Sequence, residues 1–415
     1  MQTQTSSPSD QALQQILAVQ THLNLKFVNR ADAINKMIIA ALTRLPIVFL
    51  GPPGVAKSAM VNAIAEYVWD DDTGETASYF YKALTQHTHP DELFGPTSLR
   101  TYKVDDVLRR NTQGMMSEAR FAFFDEIFKA SGPTMNELLT VLNEWVLVNG
   151  GVVEKTNALT VYAASNEVPG PEMAALWDRF ALRVIVQPIE RRGKKDEFGS
   201  LLRFYRDGSP QTDKPKLTVE QIMIARESIG QVRISDNMLL LFQKYLIALD
   251  DEGVRVSDRR IGLLGQLLQA SAWLRGSNEV EDEDLTILTD AVWSDPNPAA
   301  KQFEAIKRVL LATASPVTVK AQEIADEAGG IYAALIARIN ALNEDAKKQQ
   351  VDPTTRGNVL MTALRNIKVQ RTLLQDIVND ARNRGKPQKT LETLGACFDS
   401  VAQLVDMIGQ MITID

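Results

Sequence analysis

The chain has 415 residues, which at about 150 per domain suggests two to three domains. Its 45% hydrophobic and 23% charged residues are those of an ordinary globular protein and exclude a collagen-like, disordered or disulfide-scaffold chain. The net charge of −7 argues against non-specific nucleic-acid binding. One cysteine, Cys397, cannot close an internal disulfide, so a reducing compartment is expected. With three histidines (His22, His87, His89), there is little material for a zinc or iron site. The most apolar early run, Met37 to Leu50, is broken by Arg44 and Pro46 and is too short to span a bilayer. Thr3 to Asp10 is polar, without the basic start and apolar core of a signal peptide, and a cytoplasmic protein is expected.

In chain order, residues 1–10 read as a loose tail, with Ser9 or Asp10 capping a helix through Leu13, Ile16, Leu17 and Leu23. Ala33, Ile34, Met37, Ile38, Ala41 and Leu42 make one apolar helical face. Pro46 to Leu50 is a short apolar run stopped by Gly51, the signature of a buried parallel strand. Helical spacing returns over Ser58–Trp69. Further strands are expected at Ser78–Ala83, Phe121–Phe124, Leu159–Ala164 and Arg183–Val186, with helical segments between them. This alternation predicts an α/β domain with a largely parallel sheet, whose ligands bind at the carboxyl ends of the strands. Pro188 to Lys216, rich in charge, Gly and Pro, reads as a solvated connector. Leu217 to Trp293 is helical by pattern, with the acid run Glu279–Asp284 at the start of a Leu285–Trp293 helix. Asp295-Pro296-Asn297-Pro298 is the next break.

Beyond it, two apolar seams run along helices. One passes through Leu391, Leu394, Phe398, Val401, Val405, Ile408 and Ile412. The other passes through Leu360, Leu364, Ile367, Leu374, Val378 and Ala381, with Arg371 interrupting it. The first covers about three heptads, short for an independent coiled coil, so an intramolecular helical bundle is expected. The domain reading is 1–26 an N-terminal helix and tail, 27–190 an α/β core, 191–216 a linker, 217–295 a helical domain, and 296–415 a second helical domain.

Gly51-Pro52-Pro53-Gly54-Val55-Ala56-Lys57-Ser58 lies between a strand and a helix, and with Ala59 it forms the expected cradle for a phosphate chain. Glycines let the backbone amides approach phosphate oxygens. Lys57 can reach the β- and γ-phosphates, and the Ser58 hydroxyl can ligate Mg²⁺. The strict pattern asks for glycine where Ala56 stands, so this alanine must tolerate the loop's backbone angles. About seventy residues later, the apolar strand Phe121–Phe124 ends in Asp125 and Glu126. Asp125 is the expected partner of the Mg²⁺ shell and Glu126 the base that polarises the attacking water. Val161 to Asn166 is another strand ending in a polar residue, which would put Asn166 beside the γ-phosphate to position water.

Together these segments resemble the MoxR family of AAA+ ATPases, closest in pattern to its RavA-like branch. The resemblance is carried by GPPGVAKS (51–58, the Walker A motif), DELFGPTSL (91–99), FFDEIFKA (123–130, with the Walker B acids), LLTVLNEW (138–145), ASNE (164–167), LWDRFALRV (176–184) and VSDRR (256–260). It covers residues 27–293 in the family's order. The fold it implies is an α/β P-loop AAA+ core with an α-helical lid, followed here by the C-terminal α-helical bundle. It implies that Arg179 is an arginine finger reaching a neighbour's nucleotide, with Arg183 as runner-up, and that Arg259 is the lid arginine called sensor 2, with Arg260 competing. Asp91–Leu99 matches the clade's inserted segment, and Trp145–Lys155, turning at Asn149-Gly150-Gly151, the hairpin before sensor 1. His87 and His89, near the first insertion, read as loop residues.

The implied function is ATP hydrolysis with Mg²⁺ at the subunit interfaces of a ring, usually hexameric. Lid would rotate against core to remodel or mature protein complexes or to insert metal cofactors. A protein with a von Willebrand factor A domain is the implied partner class. Two other readings stand beside it, a nucleic-acid translocase and a nucleotide-dependent scaffold. The branch's small β-rich partner module has no counterpart in the last ~120 residues by pattern, where only three aromatics (Phe303, Tyr332, Phe398) occur.

Overall fold

The fold is taken from a computed structural model that describes residues 7–189, 191, 197–208, 213–295, 301–314, 324–325, 327–337, 339, 353–383 and 388–414. Residues 1–6 of the expected tail, parts of the connector and the Pro296–Pro298 break lie outside these. The chain divides into two compact units, Met1–Lys307 and Arg308–Asp415.

The first unit begins with α1 (Pro8–Lys26), capped by Ser7 rather than by Ser9 or Asp10. The Ser7 hydroxyl accepts from the Asp10 amide at 3.1 Å, the Asp10 carboxylate accepts from the Ser7 amide, and Pro8 suits the first helical position. There follow α2 (Ala31–Thr43), β1 (Ile47–Leu50), α3 (Lys57–Ala65), β2 (Val68–Trp69), β3 (Tyr79–Ala83), α4 (Asp91–Phe94) and α5 (Leu99–Asp105). Next come β4 (Phe121–Asp125), α6 (Gly132–Glu144), β5 (Val146–Asn149), β6 (Val152–Lys155), β7 (Thr160–Ser165), α7 (Ala174–Arg179) and β8 (Leu182–Ile185). The unit continues with α8 (Glu197–Asp207), β9 (Leu217–Thr218), α9 (Val219–Gly230), α10 (Asp236–Asp251), α11 (Asp258–Leu274) and α12 (Thr289–Val292).

Five strands form one parallel sheet in the order β3-β4-β7-β1-β8. β1 and β7 are buried at every position, as continuous apolar strands at the centre of a parallel sheet must be. α2 packs against β7 and β8, and α1, α9 and α11 pack against α2. The α/β core with a helical lid and helical C-terminus is the fold that the pattern predicts.

Three expectations change. The Ser58–Trp69 helix stops at Ala65, and Val68–Trp69 pairs in parallel with Leu217–Thr218, so helix begins only after Thr218. The connector contains α8, which buries no side chain and so remains a solvated segment. The expected Leu285–Trp293 helix is a 3-10 turn over Asp282–Leu288 followed by α12, with Glu281 and Asp284 forming the capping box.

Lid and core pack together through buried hydrogen bonds and ion pairs. Arg226 on α9 donates to Ala41 O and Leu159 O, both at 2.6 Å. Arg260 on α11 donates to Phe180 O and Ala291 O at 2.6 Å and pairs with Asp178 at 3.2 Å. Trp293 Nε1 donates to Arg183 O at 3.1 Å, and Arg183 donates to Trp293 O and, at 3.0 Å, to Trp177 O. Lys36 on α2 forms a buried ion pair with Asp290 on α12. Burial alone would lower the Lys36 ammonium, but Asp290 and Asp32 outweigh it and hold it above the usual lysine value.

The boundary between the units falls within α13 (Lys301–Ala314), whose Phe303 ring meets the Trp293 ring edge-on at 5.9 Å inside the first unit. The second unit contains a helical stretch over 327–337, α14 (Pro353–Asn383) and α15 (Gln388–Ile414). Leu360, Ile367, Leu374 and Val378 of α14 and Leu394, Cys397, Val401, Val405 and Ile408 of α15 form its buried core. Both seams therefore face inward within the unit. Arg371, which looked like a break in one of them, is exposed with its guanidinium over the Phe398 ring at 5.5 Å. The Ala381 and Ile412 side chains lie outside the described set.

Candidate active site

The loop from Gly51 to Ala56 leaves the carboxyl end of β1 and opens α3. A Cβ on Gly51 would sit 2.2 Å from Val186 O, so only glycine lets this backbone pass the end of β8. Ala56 adopts φ +69°, the left-handed conformation that the strict motif gives to glycine, at a cost of about 1–2 kcal/mol. Arg30 braces the loop by donating from Nε to Val55 O at 3.1 Å. The first-turn amides of α3, Lys57 to Ala59, have no partner within the helix and, with its dipole, suit an anion.

Lys57 is buried, and its ammonium donates to Gly51 O (2.6 Å), Pro52 O (2.9 Å) and Asn166 Oδ1 (2.7 Å). Burial lowers its pKa, while the Asp125 and Glu126 carboxylates oppose that shift. Ser58 Oγ donates to Asp125 Oδ2 at 3.1 Å. Hydroxyl and carboxylate oxygen are the hard donors that Mg²⁺ prefers, so this pair fits that ion.

Glu126 stands at φ +53°, backbone strain of the kind that collects at functional sites. Its Oε1 accepts from Asn166 Nδ2. Its Oε2 lies 3.4 Å from Lys129 Nζ, which also lies 3.7 Å from Glu167 Oε1. The structure thus brings Lys57, Ser58, Asp125, Glu126 and Asn166 together from four elements at the carboxyl end of the sheet. Sequence reasoning missed Lys129, Glu167 and Arg30. Lys129 sits three residues after Glu126, a spacing that could have flagged it.

The arginines lie elsewhere. Arg179 ends α7, three residues before β8, and Leu182 is in register with Ile47. The phosphate loop leaves after Leu50, so about 13 Å of strand separates the two ends. Arg179 is thus at the opposite end of the sheet from its own Lys57. Its partner is Asp178 at 3.4 Å, and its Nε is buried without a hydrogen-bond acceptor. Burial first, then the nearby Arg259 charge, lowers its pKa. Arg259 donates to Asn143 Oδ1, in the last turn of α6. Arg179 and Arg259 are therefore neighbours. The two runners-up are structural: Arg183 is 1% exposed, stacked over Trp177 at 4.4 Å, and Arg260 is 6% exposed, so neither can reach another chain without breaking the lid–core contacts.

Residues 13–226 match the family model described as the MoxR domain in the MoxR-vWA-beta-propeller ternary systems, and residues 235–310 match the AAA lid domain. An uncharacterised protein of Methanocaldococcus jannaschii is 29% identical over 90% of this chain and 94% of its own. A second from that organism is 33% identical over 67% and 70%. The chaperone ClpB of Rhodopseudomonas palustris is 30% identical, over only 28% of this chain and 13% of its own. A crystal structure from Cytophaga hutchinsonii, provisionally described as an ATPase, superposes with a TM-score of 0.58 at 18% identity, covering 73% of this chain and 95% of that one.

Proposed function

This chain belongs to the MoxR family of AAA+ ATPases, and from that premise we propose that it hydrolyses ATP to ADP and phosphate to remodel other proteins. The observation that carries the reading is the joining of Lys57, Ser58, Asp125, Glu126 and Asn166 at the carboxyl end of the sheet. The loop amides and Lys57 bind the phosphates. Ser58 and Asp125 are the residues that would hold Mg²⁺, which would supply charge neutralisation on the phosphate oxygens. Glu126 takes a proton from the attacking water while Asn166 holds that water in line with the γ-phosphorus. The bond from the γ-phosphorus to the bridging oxygen breaks, and ADP leaves.

Arg179 and Arg259, adjacent cations remote from their own phosphate loop, fit a role on a neighbour's γ-phosphate, so the working form is a ring, hexameric by the family pattern. Sensor 2 then acts between subunits, as the finger does. The matched model's description favours a von Willebrand factor A domain protein as partner, and the work done on it is chaperone-like maturation, including metal-cofactor insertion. We place the chain in the RavA-like branch and in the cytoplasm; no described helix is long and apolar enough to cross a membrane. The proposed boundaries are 1–26, 27–190, 191–216, 217–295 and 296–415 for N-terminal helix and tail, core, linker, lid and helical partner domain, the start of α13 through Lys307 packing with the first unit.

Phosphate release and nucleotide binding test the ATPase. Glu126→Gln should retain ATP and lose on the order of 10²–10⁴ in turnover. Lys57→Ala should lose binding too. Unchanged phosphate release from both variants would sink the assignment.

A further inference from the structure

The loops that follow β4 and β7 carry Glu126 and Asn166, and two rungs join them. The first is the bond from Asn166 Nδ2 to Glu126 Oε1. The second runs through Lys129, whose Nζ lies 3.4 Å from Glu126 Oε2 and 3.7 Å from Glu167 Oε1. Glu126 Oε2 is buried and has no hydrogen-bond partner among the described residues. Its ion pair with Lys129 is therefore the contact that offsets a buried charge on that oxygen.

The backbone delivers both members of the second rung. After Glu126, at φ +53°, the chain makes a 3-10 turn over Ile127–Lys129, closed by Lys129 N donating to Glu126 O at 2.9 Å. Side chains three apart eclipse in this geometry, so Lys129 returns over Glu126. Ile127 and Phe128 are buried, with the Phe128 ring 5.9 Å from Trp177 and 6.4 Å from Phe180, and this packing fixes the turn. Glu167 is fixed through its backbone. Ser165 Oγ accepts from Glu167 N at 3.1 Å and donates to Glu167 O at 2.8 Å.

Stability does not explain the second rung. Lys129 is half-exposed and Glu167 exposed, and ion pairs in water contribute little to stability. Orientation explains it better. The two oxygens of Glu126 have different neighbours: Oε1 meets Asn166, the side chain proposed to hold the attacking water, and Oε2 meets Lys129. A carboxylate that rotates freely offers its oxygens at any angle. An ammonium fixed on Oε2 stops that rotation and keeps Oε1 on the side of the water. Small misplacements of a catalytic group are costly in rate.

We infer that Lys129 is a positioning residue for the base Glu126, and that Glu167 positions Lys129 in turn. This rests on the reading of the chain as an ATPase and says how the base of that site is aimed.

Steady-state phosphate release by the full chain, as a function of ATP concentration, tests it. Lys129→Met should lower kcat about tenfold to a hundredfold. Its KM should stay within a factor of about two, because Lys129 acts on the base and not on bound nucleotide. Lys129→Arg should recover most of the loss, since a guanidinium can reach both carboxylates. Glu167→Gln should lower kcat about threefold, and the double variant should be no slower than Lys129→Met alone, because Glu167 acts only through Lys129. Unchanged or faster turnover in Lys129→Met overturns the inference. A raised KM at unchanged kcat overturns it too, since Lys129 would then be a nucleotide-binding cation. Additive losses in the double variant remove Glu167 from its role. If Lys129→Met fails to fold, Glu167→Gln carries the test, and full activity there counts against the rung. A wild-type chain that releases no phosphate sinks the ATPase reading and this inference with it. A wild-type chain that turns over ATP beside an unimpaired Lys129→Met sinks the inference alone.

Discussion

At the scale of single residues, the site is a set of opposed charges held by short bonds. Lys57 is satisfied by two loop carbonyls and Asn166, and Asn166 in turn holds Glu126. A phosphate chain offers Lys57 stronger, charge-assisted acceptors than neutral carbonyls do. Its arrival would draw the lysine off Asn166 and free that side chain to orient water. Burial and the neighbouring Arg259 charge lower the Arg179 pKa, and an anion shared by the two guanidinium groups would relieve their repulsion. Arg179→Ala should keep nucleotide binding and lose on the order of 10³-fold in turnover. Mixing it with Glu126→Gln subunits should recover activity, since a mixed interface unites an intact Glu126 with an intact Arg179. Co-assembled subunits that recover nothing would show that Arg179 does not act across the interface.

At the scale of elements, adjacent arginines have opposite lives. Arg260 on α11 is buried and bonds carbonyls of the α7–β8 connection and of α12. Arg259, one residue earlier, is exposed and bonds only the Asn143 side chain. Arg260→Leu should therefore cost about 3 kcal/mol, because it leaves the buried Phe180 O and Ala291 O without this donor and removes one of the cations beside Asp178. Arg259→Leu should cost under about 0.5 kcal/mol while impairing turnover. Urea unfolding midpoints check the first claim, and equal shifts for both variants would contradict it. The pattern gives both arginines the same helix; only the bonds of Arg260 to the α7–β8 connection and to α12 tell them apart. Much of the site was legible because a strand, a glycine-rich turn and Lys-Ser lie within twelve residues, and strand-end acids need no distant partner to be recognised. Arg30 was not legible, because its bond to Val55 O joins residues 25 apart and follows no spacing rule.

At the scale of the whole molecule, two hydrophobic cores make two units. A break at the Pro296–Pro298 region would strip Phe303 from Trp293, because the first turns of α13 belong to the first unit. A chain ended after Ala314 keeps that contact. It should fold, assemble and hydrolyse ATP, yet lose partner binding, since the catalytic constellation lies wholly in the first unit. Turnover, mass in solution and pull-down from native extract check this. A shortened chain that is monomeric and inactive, beside a full chain that forms active rings, would make the second unit an assembly element.

By itself, the sequence determined what local chemistry determines. Short continuous apolar runs and the period-3.6 pattern set the parallel sheet and most of the helices, the phosphate loop follows from residues adjacent in the chain, and the α14 and α15 seams follow from apolar spacing. The tertiary structure decided what depends on residues far apart. Val68–Trp69 read as the end of a helix until Leu217–Thr218 offered a strand partner. Arg183 stood as runner-up to Arg179 until its burial against Trp177 and Trp293 set it apart. The segment after α5 and the β5–β6 hairpin, far apart in the chain, meet at Arg110 and Asn149. The reason is the same each time: a hydrogen bond or a desolvated charge depends on which groups meet in space, and spacing along the chain does not encode a meeting between residues tens or hundreds of positions apart.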